Sequence, residues 1–197
     1  KTTIANGLGL SVDHYFANFA DSSSSRLLLA SIFYSLQLYC DFAGYSYIAI
    51  GMGKLFGIEV PVNFDRPYLA TNIQDFWRRW HIGLSRWFRE HVYFPLGGSR
   101  KGLIRTAVNI IVVFAVSGLW HGFGKNYLAW GLAHGLALAI FTFLKPVLNK
   151  TTLLEKTENN VFLRWIARIL NFSFVNFAWI LFRCGSLSTA LHFISML

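Results

Sequence analysis

His81 closes the charged, aromatic stretch Asp75-Phe76-Trp77-Arg78-Arg79-Trp80-His81, and His121 lies inside the apolar stretch Ser117-Gly118-Leu119-Trp120-His121-Gly122. An ionisable side chain in a segment apolar enough for lipid is costly and faces a polar cavity or a partner, so it marks a functional site. A neutral imidazole with its ordinary pKa near 6.5 can take a proton from a hydroxyl at about pH 7. His121 is thereby a candidate functional residue to which such chemistry is open. For His81 the pattern leaves two readings, a side chain reaching from the interface into a cavity and an interfacial anchor. His134, in a second apolar segment, reads as a buried imidazole bonded across helices. Asp41 is the lone charge in residues 27–53. It reads equally as a structural carboxyl bonded to a neighbouring helix and as part of the site lining.

The elements that position these groups follow from composition. The 197 residues are 54% hydrophobic and only 14% charged, with mean hydropathy +0.44, whereas a soluble domain is about a quarter charged. The expectation is an all-α, multi-pass transmembrane protein. The net charge of +9 is carried by Lys and Arg that flank long apolar runs, as topology-setting residues do, and this argues against nucleic acid as a partner. Cys40 and Cys184 match no metal or disulfide spacing, and no metal site is expected. The chain opens without an initiator Met or signal-peptide pattern and closes in an apolar stretch. Residues 1–197 therefore read as part of a single membrane domain, truncated at both ends.

Roughly 20 apolar residues cross a bilayer. Residues 27–53 qualify as a tilted or slightly broken span, residues 106–124 and 126–144 as two spans joined by a tight turn, and residues 161–182 as either a partial crossing or a longer helix whose arginines snorkel. Gly51, Gly53 and Gly57 lack the spacing and the strand of a nucleotide loop. Pro61, Pro67 and their neighbours force a loop. Residues 71–95 then read as one interfacial amphipathic helix. Thr71 and Gln74 form its capping box, Phe76, Trp77, Trp80, Leu84, Trp87, Phe88 and His91 its apolar stripe, and Arg78, Arg79, Arg86 and Arg89 its basic face. Gly118 with Gly122, and Gly131 with Gly135, have the small-residue spacing that lets helices approach closely. The stretches 75–105 and 145–168 are the Lys/Arg-rich ones, against Lys125 alone in the turn between the two spans, so the positive-inside rule makes both cytoplasmic.

Five motifs in order, Asp41-Phe42-Ala43-Gly44-Tyr45-Ser46, Asn63-Phe64-Asp65-Arg66-Pro67-Tyr68, Asp75 to His81, Tyr93-Phe94-Pro95-Leu96-Gly97-Gly98 and Ser117 to Gly122, resemble the membrane-bound O-acyltransferase family. The similarity is to its alginate-acetylating and peptidoglycan-acetylating branch, with Pro-Leu-Gly-Gly favouring that branch over teichoic acid D-alanyl transferases. The resemblance implies a multi-helix fold with a tunnel and a catalytic histidine at His121, with His81 as the family's second histidine. It further implies an acyl thioester donor such as acetyl-CoA, with no permanently bound cofactor, and a polysaccharide hydroxyl acceptor at the inner membrane. Trp77, Arg78 and Arg79 would shape the donor side, with Trp120 and Asp41 also in contact with substrate. Tyr47 stands where such relatives often carry an acidic residue. A relay through acyl-His121 to a secreted or periplasmic partner acetyltransferase stays open. The competing reading is a transporter or channel in which the intramembrane His and Asp couple protons.

Overall fold

The computed structural model describes residues 2–197, and the described residues form helices and turns without a strand. In chain order the helices are α1 (Thr2–Ala17), α2 (Ser24–Leu55), α3 (Ile73–Arg79), α4 (Ile82–Phe88), α5 (Gly102–His121), α6 (Lys125–Lys150), α7 (Leu153–Asn159), α8 (Val161–Arg183) and α9 (Leu187–Ser195). Four of them, α2, α5, α6 and α8, are long and apolar enough to cross a bilayer. This is the all-α, multi-span membrane architecture that composition predicts. The segment with two readings, residues 161–182, is one unbroken helix. Arg164 and Arg168 lie near its first turns and bond to carbonyls outside the helix, those of Glu158 in α7 and of Leu69.

Helices α5 and α6 form the tightest pair because their glycines face each other. A Cβ on Gly118 would strike the backbone of Tyr127, and one on Gly131 would strike the carbonyl of Phe114 and lie 3.3 Å from Gly118 Cα. Backbones this close leave no room for a side chain. Polar groups hold α8 on α2. Ser35 donates to Asn176 Oδ1 at 2.7 Å, Asn176 Nδ2 donates to Ser31 at 2.9 Å, and Tyr68 OH donates to the Ser35 carbonyl at 2.6 Å. In an apolar bundle such bonds specify which faces meet.

Residues 71–95 depart from the single interfacial helix that periodicity predicts. They form α3, a break at Trp80-His81, α4, and a π-helical turn at Arg89–Tyr93. The first cap is Asn72, whose Oδ1 accepts from Asp75 N at 2.8 Å, rather than Thr71. Gln74 instead accepts from Lys145 Nζ at 2.8 Å. The break has a specific cause in the loop before it. Asp65 N donates to the Arg79 carbonyl, Ile82 N donates to the Asn63 carbonyl, and Gly83 N donates to Asn63 Oδ1, each at 3.0 Å. These bonds satisfy backbone groups that a continuous helix would have paired internally. His81 takes the left-handed conformation, φ 43°, which a non-glycine residue holds only where its surroundings fix it.

The hairpin so formed is wedged into the bundle. Phe76, Trp80 and Phe88 are buried. Along α3, Gln74 meets Lys145, Trp77 meets His134, and Trp80 packs on Trp179 at 5.0 Å. The hairpin thus runs antiparallel to α6 from its basic end inward. Its return limb is held at the same end, where Asn109 Nδ2 donates to the carbonyls of Leu96 and Gly98.

Candidate active site

The hairpin tip brings His81 to the last turn of α5, where His121 ends the helix. Both imidazoles line one cavity of about 420 Å³. His81 stands perpendicular to Phe42 at 4.7 Å, and its Nδ1 is buried without a partner. Its other ring nitrogen is therefore the one that faces the cavity. Burial first, then the nearby His121 imidazole, hold His81 below its ordinary pKa, because an apolar wall and a second potential cation both disfavour charge. His121 is boxed by ring edges, Trp120 at 4.8 Å, Trp130 at 5.2 Å and Phe182 at 5.0 Å. Among the described residues its ring has no hydrogen-bond partner, so its lone pair is free for substrate.

The cavity is elongated. On α5 it is lined by Ile110, Val113, Phe114, Ser117 and His121, one helical face. Ile110 and His121 are eleven residues apart, about 16 Å at 1.5 Å per residue. On α6 it runs from Trp130 to Leu138 and Thr142. Arg78 and Arg89, both exposed, border it. The result is a channel with aromatic walls, guanidinium groups at its edge and two imidazoles at its inner end.

Of the residues expected at the site, the structure brings together His121, His81, Trp77 and Arg78. It does not bring Arg79, Trp120 or Asp41 to the wall. Arg79 is one helix position past Arg78 and turns back to Asp75, Nε to Oδ1 at 2.9 Å. Trp120 points outward from α5 and is 59% exposed, its ring edge-on to that of His121. Asp41 lies on the outer face of α2, one position before the lining residue Phe42, so neither the bonded structural carboxyl nor the site lining is realised among the described residues. Sequence reasoning missed Phe42, Trp130, Trp179 and Phe182 as lining. The available signal was their spacing, since Trp179 and Phe182 are three apart on α8 and Trp130 is four before His134. His134 is fully buried and accepts from Trp77 Nε1 at 3.3 Å, the cross-helix bond expected of it.

Residues 7–183 match the model of the MBOAT, membrane-bound O-acyltransferase family. The chain belongs to this family. It is 41% identical over 191 residues to the peptidoglycan O-acetyltransferase of Helicobacter pylori, covering 97% of this chain and 35% of that protein. It is 39% identical to the "Probable alginate O-acetylase AlgI" of Pseudomonas fluorescens, over 96% of this chain and 36% of that one. The teichoic acid D-alanyltransferase of Bacillus subtilis is 32% identical over 89% of this chain and 46% of that one. The chain thus spans about a third of the length of its acetylating relatives. The greater identity to the acetylating proteins agrees with the branch that Pro95-Leu96-Gly97-Gly98 indicates. The transporter or channel reading finds no support among the relatives.

Proposed function

We propose that this membrane O-acyltransferase chain forms the site that moves an acetyl group from a thioester, acetyl-CoA in the simplest case, to a hydroxyl of an exported or cell-surface polysaccharide such as alginate or peptidoglycan. The observation that carries the reading is the single channel joining Arg78 and Arg89 at its edge to His81 and His121 at its inner end. Guanidinium groups suit the phosphates of the donor. The lining face of α5 runs about 16 Å from Ile110 to His121, a path along which an extended donor arm brings its thioester to the imidazoles. His121 takes the acceptor's hydroxyl proton as the oxygen attacks the thioester carbonyl. The C–O bond forms, the tetrahedral oxyanion collapses with cleavage of the C–S bond, and the imidazolium returns its proton to the departing thiolate. His81 is the second polar contact and orients the reacting carbonyl or hydroxyl.

In this proposal the protein lies in the inner membrane with the basic stretches 75–105 and 145–168 cytoplasmic. The donor then enters from the cytoplasm, and the acceptor, or a partner acetyltransferase that carries the acetyl group onward, approaches from outside. Two tests apply. In cells lacking the gene, the full-length protein should restore polysaccharide acetylation, read by mass spectrometry, and His121→Ala should not; restoration by His121→Ala would overturn the base assignment. For orientation, single cysteines at Ser99 and at Phe123, which is 95% exposed, are probed in intact cells with Cys40 and Cys184 removed. An impermeant thiol reagent should label Phe123→Cys and spare Ser99→Cys. The opposite pattern reverses the topology.

A further inference from the structure

Trp77 lines the channel midway along its length, beside Phe114 on α5 and between the levels of Trp130 and Leu138 on α6. Its indole N–H does not point into the lumen. It donates to His134 Nδ1 at 3.3 Å, and His134 lies behind the wall, fully buried and outside the lining. Because Nδ1 accepts, the proton of this neutral ring sits on Nε2. That nitrogen is buried without a partner. An unpaired buried N–H is a penalty that folds rarely keep, and a phenylalanine would pack among Phe76, Phe114, Trp130 and Phe174 without it. What the imidazole supplies, and phenylalanine does not, is a lone pair aimed at Trp77.

We infer that His134 is a positioning residue that pins the Trp77 indole against the channel wall and so keeps the passage to His121 open for an extended thioester donor. The inference rests on the acyl-transfer reading. With the acceptor gone, the indole N–H is left unpaired in an apolar wall, and the ring turns into the lumen toward a polar partner. The passage narrows between the mouth and the imidazoles. Donor binding weakens, while chemistry at His121, once the donor is seated, is unchanged.

The test uses the full-length protein in detergent with acetyl-CoA as donor. A net hydrogen bond corresponds to roughly a 3- to 10-fold change in an equilibrium constant. His134→Phe should therefore raise the KM for acetyl-CoA by that factor and leave kcat within about twofold. His134→Gln, whose amide oxygen can accept, should restore most of the affinity. Trp77→Phe has no N–H to leave unpaired, so in its background adding His134→Phe should change KM no further. If His134→Phe fails to fold, His134→Leu, which also lacks an acceptor for the indole, takes its place. An unchanged KM, or a loss confined to kcat or thermal stability, overturns the proposal. Should the wild type transfer no acetyl group, the acyl-transfer reading fails separately. Alkylation of Ser117→Cys by iodoacetamide then still reads the passage, and it must slow by a similar factor in His134→Phe or the pin is wrong.

Discussion

Helices α5 and α6 each carry Gly-Leu-x-His-Gly, Gly118 to Gly122 in one and Gly131 to Gly135 in the other, and the two histidines end in opposite situations. His121 is the last residue of its helix, at the end of a cavity, with no hydrogen bond among the described residues. His134 is ten residues into its helix, sealed from solvent and bonded to an indole. Gly118, Gly131 and Gly135 admit a neighbouring backbone, and Gly122 admits the ring of Tyr127. The motif therefore fixes the packing, whereas depth along the helix and the hairpin wedged into the bundle beside the α5–α6 pair fix what the imidazole does. A histidine with an unoccupied lone pair in a cavity is available for proton transfer. One whose lone pair is taken positions its partner.

Variants can break this contrast at several levels. The largest structural effect is expected from Gly131→Leu, because the added atoms meet the Phe114 carbonyl and Gly118 Cα, which belong to rigid backbone. Overpacking of this kind costs about 1–3 kcal/mol or more, and yield and thermal stability of the purified protein should fall sharply. Gly7→Leu, with nothing within 4 Å of its Cβ, serves as the control. Equal behaviour of Gly131→Leu and Gly7→Leu would remove the close crossing from the account. Asn63→Ala deletes the side-chain cap on Gly83 N, worth about 1 kcal/mol, and frees the tip that carries His81. Acetyl transfer should drop more than thermal stability does. A variant that loses stability alone would mean that the tip geometry does not matter to the reaction.

The smallest effect is a pH dependence. His81 has a folded pKa below its unfolded value of about 6.5, so below that pH the unfolded chain binds a proton that the folded chain resists. The corresponding stability is complete above about pH 6.5 and is lost as pH falls toward the folded pKa. Thermal unfolding from pH 7.5 to pH 5 should show a steeper decline in the wild type than in His81→Gln. Parallel curves would place His81 in water.

Much of this was legible in the chain. Apolar run lengths located α2, α5, α6 and α8, and glycine spacing located the crossing of α5 with α6, because both depend on local composition. The five motifs named the family and placed both histidines. The break at His81 was not legible, since nothing at Trp80-His81 forbids a helix; it is imposed by Asn63 and Asp65 from a distant loop. Residues 71–95 read as an interfacial helix for the same reason, their aromatic stripe fitting lipid as well as it fits a protein interior. Arg79 and Asp41 were misplaced by about 100° of helix rotation, one residue away from the lining positions Arg78 and Phe42. On α8 the spacing of Trp179 and Phe182 marked one face, but which face meets the cavity is set by tertiary packing.

The most direct measurement is the acetyl-transfer rate of purified full-length His121→Gln beside His134→Gln. An amide keeps polar contacts yet takes up no proton near neutral pH. His121→Gln should fold normally and lose on the order of 10²-fold or more of its transfer rate, while His134→Gln stays close to wild type at saturating donor. A well-folded His121→Gln that acetylates its polysaccharide at the wild-type rate would contradict the account and make His121 a packing residue.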